Sequence, residues 1–507
     1  MPQPKQIDKA IAWRAFYIVY GFAATFCCCG FSPIIHFYGT DSAVFYCFGQ
    51  AMSRGVVVYK ELFDHKGIWI YFFNCVGAFL DRIIPGWGMY IVEALFACSL
   101  LFISDRMIGL FVHDKISCVI SACLFLGLTL NYFTYQGGNT TETYALVFQM
   151  LSCYLMMKYF CSKTTDHPPA YMFIHGICSG ICLLLRANLT AIWVPFGLVL
   201  AVRLIRSKRV RCFFINLACL LLGITVSLVL PFLYCLRNHC IKEMIFCTFT
   251  FNFSYVTEGG SWSRLFLKMF VSGASVVLYL ALAGIIIIIR KHYISAEASL
   301  TVAICLLFVI LATFMGKRAY GHYFQTLLPF TLPVFIQIGL FLQKIREKRL
   351  KWYSNMAAIL LLCFLLTLAG NLLLAIKYLP VDTEYKHLYA ALEQSGEFMK
   401  RDSKDYALLS TGNLMQAYVV TGSMPYLKYP YIPGVAYQVF SEPTDQMYKE
   451  IISGKYRYIF GNRFYNGNWD IFPSVREYGT NLNKYISENY KVSFTDPKYG
   501  YVLFEHK

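Results

Sequence analysis

The chain has 507 residues, of which 57% are hydrophobic, 17% aromatic and only 14% charged, with a formal net charge of +17. Soluble domains carry about 25% charged residues, so this composition excludes a large water-soluble enzyme, a disordered chain and a disulfide scaffold. Apolar runs long enough to cross a bilayer recur along the chain, which points to a polytopic helical membrane protein.

Taken from the N-terminus, the first apolar run (Ile11–Ile35) is too long for the core of a cleavable signal and reads as a first span. An outside loop over about 36–87 follows. Within it, Ile68–Leu80 would reach only about 20 Å as a helix against a hydrocarbon core of roughly 30 Å, so it is expected to be interfacial or re-entrant. Further spans are expected at 88–104, 116–132, 143–161, 171–185, 187–203, 212–232, 266–289, 298–315, 323–342 and 353–376, making eleven in all. Residues 380–507 balance 14 basic against 14 acidic side chains, so the whole excess of positive charge lies in 1–379. With the N-terminus inside, the inner segments receive 19 basic residues and the outer ones before residue 380 receive 12. Both five-charge clusters (Arg203–Arg211 and Lys344–Lys351) then face the cytoplasm, the positive-inside pattern. Basic groups placed between spans in this way argue against nucleic acid as a partner. The 19 cysteines are scattered through apolar segments without a CxxC pair and read as small hydrophobes, although Cys235 and Cys240 could meet an oxidising face.

Beyond about 380, mixed charge, turn residues and short runs such as Ala407–Ser410 and Tyr456–Phe460 follow a helical stretch, Glu384–Met399. This suggests a small outside α/β domain over 380–507, set against a transmembrane domain over 1–379.

The ionisable residues that are candidates for chemistry are all expected at one face of the membrane, the outer one. Asp41, Glu61, Asp64, His65 and Lys66 lie in the first loop, Glu142 ends the turn at 133–142, and Arg186 sits between two spans. Lys317, Arg318 and His322, followed by Tyr323, belong to the turn at 316–325. Carboxylates beside cations at an outer cleft suit deprotonation of an acceptor hydroxyl while the cations hold a phosphate leaving group. Each residue also has a plainer reading. Asp41 can be the N-cap of the helix that follows GTDS, and Asn139-x-x-Glu142 has the form of a capping box. Asp64 and Lys66 can pair at the surface, Arg186 can snorkel, and His322 with Tyr323 can belong to an interface belt. His36, Asp41 and His65 are candidate ligands for a metal, without a diagnostic spacing.

Several motifs occur in order. Tyr-x-x-x-x-Asp-x-Lys runs from Tyr59 to Lys66, Thr-Glu-x-x-Ala-Leu from Thr141 to Leu146, and Leu-Leu-Arg-x-Asn from Leu184 to Asn188. Gly-x-x-x-x-x-His-Tyr-Phe follows from Gly316 to Phe324, with Pro329 beyond it. Over residues 35–335 the chain resembles the GT-C superfamily of integral-membrane glycosyltransferases, near its protein-mannosyltransferase and aminoarabinose-transferase branch. The resemblance implies sugar transfer from a polyprenyl-phosphate donor, with inversion at C1, to a glycan, lipid or protein acceptor of the cell envelope at the outer face of a plasma membrane. It puts the general base on Asp41 and a second acid on Glu142. Asp64, Lys66, Arg186, Lys317, Arg318, His322 and Tyr323 become the substrate-binding candidates. The family's Lys-Pro-Pro-Leu or Lys-Gly-Pro segment is Lys66-Gly67-Ile68 here. The lipid-linked sugar is a substrate; no resident cofactor is expected, and a divalent metal is left open. The alternative is a flippase or transporter of lipid-linked sugars, which calls for internal repeats and polar groups at mid-membrane.

Overall fold

The computed structural model describes residues 4–36, 38–162, 164, 166–257, 260–348, 384–400 and 407–507. The expected span at 353–376 and the boundary at 379/380 lie outside the described residues. Over the rest, the N-terminal three quarters is helical: α1 (Pro4–Phe26), α2 (Thr40–Ser53), α3 (Trp69–Ile83), α4 (Gly88–Ile108), α5 (Lys115–Thr129), α6 (Thr141–Phe160), α7 (Pro169–Leu183), α8 (Trp193–Arg206) and α9 (Val210–Arg237). A short α10 (Phe251–Thr257) precedes α11 (Trp262–Val271), α12 (Ser275–Lys291), α13 (Ala296–Phe314) and α14 (Leu332–Glu347).

Each expected span among the described residues falls on helix, yet fewer helices than eleven meet both length and apolarity. Ala187–Arg206, Val210–Arg237, Ala296–Phe314 and Gly321–Glu347 do so, and α11 with α12, bent by 76° at their junction, makes a fifth. Several of the others are short or carry charge. α5 and α7 have 15 residues each, about 22 Å of helix. α4 carries Glu93, Asp105 and Arg106 within its length. α3 is likewise 15 residues long, and it packs between α2 and α4. The outer surface of α9 exposes Phe214, Leu221, Leu222, Val229 and Phe232, an apolar face that suits lipid rather than water. The molecule is a multi-pass membrane protein.

Two close approaches set the positions of the helices. α7 and α9 touch backbone to backbone: a Cβ on Gly176 would come within 2.2 Å of the Leu220 carbonyl oxygen, and one on Gly223 within 2.1 Å of that of Phe173. Small residues allow such contact where lipid offers no hydrophobic drive. The loop before α3 is pinned in the same manner. Gly67 donates its N–H to Leu185 O at 3.0 Å and Trp69 to Leu184 O at 3.1 Å. A Cβ on Gly67 would stand 2.1 Å from Leu184 O, which explains glycine after Lys66.

After α15 (Glu384–Lys400) comes a four-stranded sheet in the order β1-β2-β6-β5. β1 (Leu408–Ser410) runs parallel to β2 (Tyr458–Gly461), pairing Leu409 with Ile459. β6 (Tyr501–His506) is antiparallel to β2 and to β5 (Tyr490–Asp496), which carries an irregularity between Val492 and Phe494. β3 (Phe464–Tyr465) and β4 (Asn468–Trp469) form a separate hairpin. Strand alternation divides the side chains between two cores. Leu408, Tyr458, Phe460, Tyr501 and Leu503 join α15 in a core continuous with the helical bundle. Leu409, Ile459, Val502 and Phe504 form a local core with α17 (Glu442–Ile452) and α18 (Arg476–Asn489). α16 (Gln416–Thr421) joins the first of these cores through Ala417 and Tyr418 and packs against α2.

Candidate active site

A cavity of about 650 Å³ opens where the start of α2, the loop before α3, the turn at 132–140, α10, the turn at 318–323 and the segment Tyr431–Gly434 converge. Six of the nine expected site residues line it: Asp41, Asp64, Lys66, Arg318, His322 and Tyr323. Glu142 and Arg186 stand one layer behind, joined to it through Tyr323. Lys317 does not line the cavity; its ammonium lies 5.6 Å from the centre of the Trp262 ring. Lys317 is in the left-handed region (φ +53°), and that turn sends its side chain and that of Arg318 in different directions.

The three carboxylates are differently committed. Asp64 is saturated: His65 N and Tyr431 OH each donate to Oδ1 at 2.6 Å, and Tyr71 OH donates to Oδ2 at 2.6 Å. Burial alone would push its carboxyl up. Hydrogen bonds from His65 and Tyr431 and the charge of Lys66 outweigh burial and hold it well below the ordinary value. Glu142 accepts from Arg186 Nη1 at 2.7 Å and from Thr141 Oγ1 at 2.9 Å. Asp41 alone of the three keeps an open side chain, 48% exposed against 2% for each of the other two. His322 lies beside it, with Nε2 3.9 Å from Oδ2 and Nδ1 held 3.1 Å from Gln136 Oε1. The capping readings do not hold. The N-cap of α2 is Gly39, without a side-chain cap, which places Asp41 inside the first turn. Thr140 caps α6 by accepting from Thr143 N, because the side chain of Asn139 is spent on Asn74 and on the Ser42 carbonyl.

The cations are arranged around two tyrosines. Arg186 donates from Nη2 to Tyr323 OH at 2.9 Å and lies over its ring at 4.4 Å. The ring of Tyr255, on α10, has the Arg318 guanidinium 3.7 Å from its centre and the Lys66 ammonium 5.9 Å away. Arg318 also donates from Nη2 to Gly434 O at 3.0 Å. The Lys66 ammonium is 2.6 Å from His65 Nε2. Burial, then the Lys66 charge, pushes His65 below its ordinary value, and burial does the same to Lys66. An imidazole held neutral is the acceptor that such a contact requires. The cavity therefore presents one open carboxylate facing a cationic, aromatic wall, an arrangement able to take a proton at one side and hold an anion at the other.

Four residues around the cavity were not singled out from sequence. Tyr255 sits on the short α10, and Tyr431 is one of 38 tyrosines with nothing in its surroundings to mark it. Gln136 orients His322. Glu93 in α4 is buried, accepting from Tyr135 OH at 2.6 Å and Asn139 N at 2.9 Å, and so fixes the turn that carries Gln136. An acid within an apolar run was the signal available for it. Among the described residues no three His, Cys, Asp or Glu side chains are grouped to hold a metal ion, and no described cysteine, Cys235 and Cys240 included, is in a disulfide.

No curated protein matches the sequence. Among solved structures, ArnT from Cupriavidus metallidurans bound to undecaprenyl phosphate aligns with a TM-score of 0.59 at 12% identity, over 98% of this chain and 98% of that one. The same protein in the apo state gives 0.58 at 12% identity, with the same coverage of both chains, 98%. An oligosaccharyltransferase of Archaeoglobus fulgidus, in complex with zinc and sulfate, aligns at 0.46 and 12% identity over 96% of this chain and 72% of that one. The likeness to ArnT extends the GT-C resemblance, as a fold, over nearly the whole chain. The family model described as "Putative competence-induced protein Ccs4 N-terminal domain" matches residues 5–383, and the chain belongs to that family.

Proposed function

We propose that the protein is an integral-membrane glycosyltransferase that moves a sugar from a polyprenyl-phosphate donor to a hydroxyl of a cell-envelope acceptor, with inversion at C1. The observation that carries this reading is the open carboxylate of Asp41 facing Lys66, Arg318 and Tyr323 across one cavity. The solved ArnT structure with undecaprenyl phosphate bound supports a lipid phosphate as the leaving group.

Asp41 takes the proton of the acceptor hydroxyl as its oxygen attacks C1, and the C1–O bond to the lipid phosphate breaks on the opposite side. Asp64 and Glu142 cannot share that task, since their oxygens are already engaged. His322 stands beside Asp41, with Nε2 3.9 Å from Oδ2. Lys66 and Arg318 meet the departing phosphate. Arg186 occupies a lone pair of the Tyr323 hydroxyl and thereby turns its proton towards the cavity, while Glu142 positions Arg186. We place the cavity at the outer face of a plasma membrane, with the N-terminus in the cytoplasm. The positive-inside distribution supports this orientation, and the extent of the family match supports a division of the chain near residue 380.

General-base catalysis contributes about 10²–10⁴-fold in rate. Asp41→Asn is therefore expected to lower transfer by at least about a hundredfold. Transfer would be measured from a panel of radiolabelled polyprenyl-phosphate sugars, in membranes carrying wild type, Asp41→Asn or no copy. A folded Asp41→Asn protein that runs at nearly the wild-type rate would remove Asp41 from the role.

A further inference from the structure

A second cavity, of about 210 Å³, lies in the C-terminal part and shares Asn413 and Ile432 with the first. The wall between them is thin: Asn413 Oδ1 accepts the N–H of Ile432 at 2.9 Å, stapling one loop to the other. The rest of the lining is built on rigid supports. Trp469 Nε1 donates to Asn462 O at 2.8 Å and Asp470 N to Arg463 O at 3.1 Å, which holds the Asn462–Arg463 turn on the β3–β4 hairpin. Thr444, on α17, and Phe472 are buried beneath it.

The lining chemistry is selective. Asn413, Asn462, Thr444 and Ser474 offer amide and hydroxyl groups that both donate and accept, above an apolar floor of Phe472 and Pro473. Arg463 is the single charged residue of the lining, and no carboxylate opposes it. Paired donors and acceptors over an apolar floor suit a polyhydroxylated ring, and an unopposed guanidinium adds a preference for an anionic substituent. The volume, a third of the first cavity's, suits one such unit.

We propose that this second cavity is a subsite for an anionic saccharide unit of the acceptor, adjoining the unit whose hydroxyl meets Asp41. The inference rests on the transferase reading, and it adds the class of acceptor: a glycan carrying phosphate or carboxylate groups.

The test uses the full chain in detergent without donor, so it is independent of turnover. Ligand-observed NMR would follow a hexose 6-phosphate, a hexuronate, the uncharged hexose and inorganic phosphate. At least one charged sugar is expected to bind about tenfold tighter than the uncharged hexose, the scale of one charge-assisted contact, and the tighter of the two identifies the anion. Arg463→Asn should abolish that advantage; asparagine suits the left-handed backbone at this position (φ +60°). Ser474→Asp, at an exposed site, should weaken the charged sugars more than the uncharged one. Equal binding of charged and uncharged hexoses, inorganic phosphate binding as tightly as the hexose phosphate, or an advantage that persists in Arg463→Asn would each overturn the proposal. Loss of sugar binding would leave the Asp41 experiment standing, and the converse also holds.

Discussion

Asp41, Asp64 and Glu142 are alike in sequence and unlike in the site, and the difference is one of hydrogen-bond occupancy. Asp64 accepts three short bonds in a buried place, a state in which a carboxylate anchors structure. Replacing it by asparagine keeps the size but leaves amide hydrogens facing donors. The loss expected is about 3–5 kcal/mol, the usual scale for breaking a buried charged network. Its pH dependence follows from the depressed native value. Ionised Asp64 contributes its stability in full well above the ordinary carboxylate value of 3.8, and that contribution disappears as pH falls through the lower, native value. The Tm difference between wild type and Asp64→Asn should therefore be constant between about pH 5 and 7 and shrink below about pH 4. A difference that ignores pH would show that the charge of Asp64 is not what stabilises. Sequence marked this residue as a candidate, but which of its neighbours fill its lone pairs depends on Tyr71 and Tyr431, seven and 367 positions away.

Among the elements, the α7–α9 pair shows how much a helix contact owes to side chains that are absent. Gly176 and Gly223 let two backbones meet, where a single added carbon would fall about 2 Å from a carbonyl oxygen. Gly223→Leu should force the pair apart and cost about 1–3 kcal/mol, with a lower Tm in detergent. Gly223 lies away from the cavity, so the protein that remains folded should transfer sugar at the wild-type rate. An unchanged Tm would mean that the bundle accommodates the separation elsewhere. The positions of the helices were legible as apolar runs, and the expected short element at 68–80 is α3 (Trp69–Ile83). The helix starts were less so. The side chain of Asn139, a good cap by composition, is drawn instead to Asn74 and the Ser42 carbonyl, and Thr140 takes the capping place.

For the molecule as a whole, the segment Tyr431–Gly434 forms one wall of the cavity although it is more than a hundred residues from every other wall residue except Asn413. Phe63 N donates to Lys428 O at 2.7 Å, Tyr431 to Asp64, and Arg318 to Gly434 O. The C-terminal part is thereby joined to the helices through the site itself. A double-mutant cycle over Tyr431→Phe and Asp64→Asn should give a coupling of about 1.5–3 kcal/mol, the scale of a hydrogen bond to a charged group. Additive effects on stability would mean that the bond contributes nothing to holding the two parts together.

What the sequence determined by itself were the quantities that depend on local composition and order: a membrane protein, most of its helical stretches, and the ionisable residues that form its cavity. These follow from hydrophobic periodicity and charge placement, both of which act over tens of residues. Tertiary structure alone decided which carboxylate stays open, that Lys317 turns away while Arg318 faces inward, and that Tyr255 and Tyr431 complete the walls. Those outcomes depend on hydrogen-bond partners and ring contacts between segments far apart in the chain, and no local pattern of residues specifies which distant group will occupy a given lone pair.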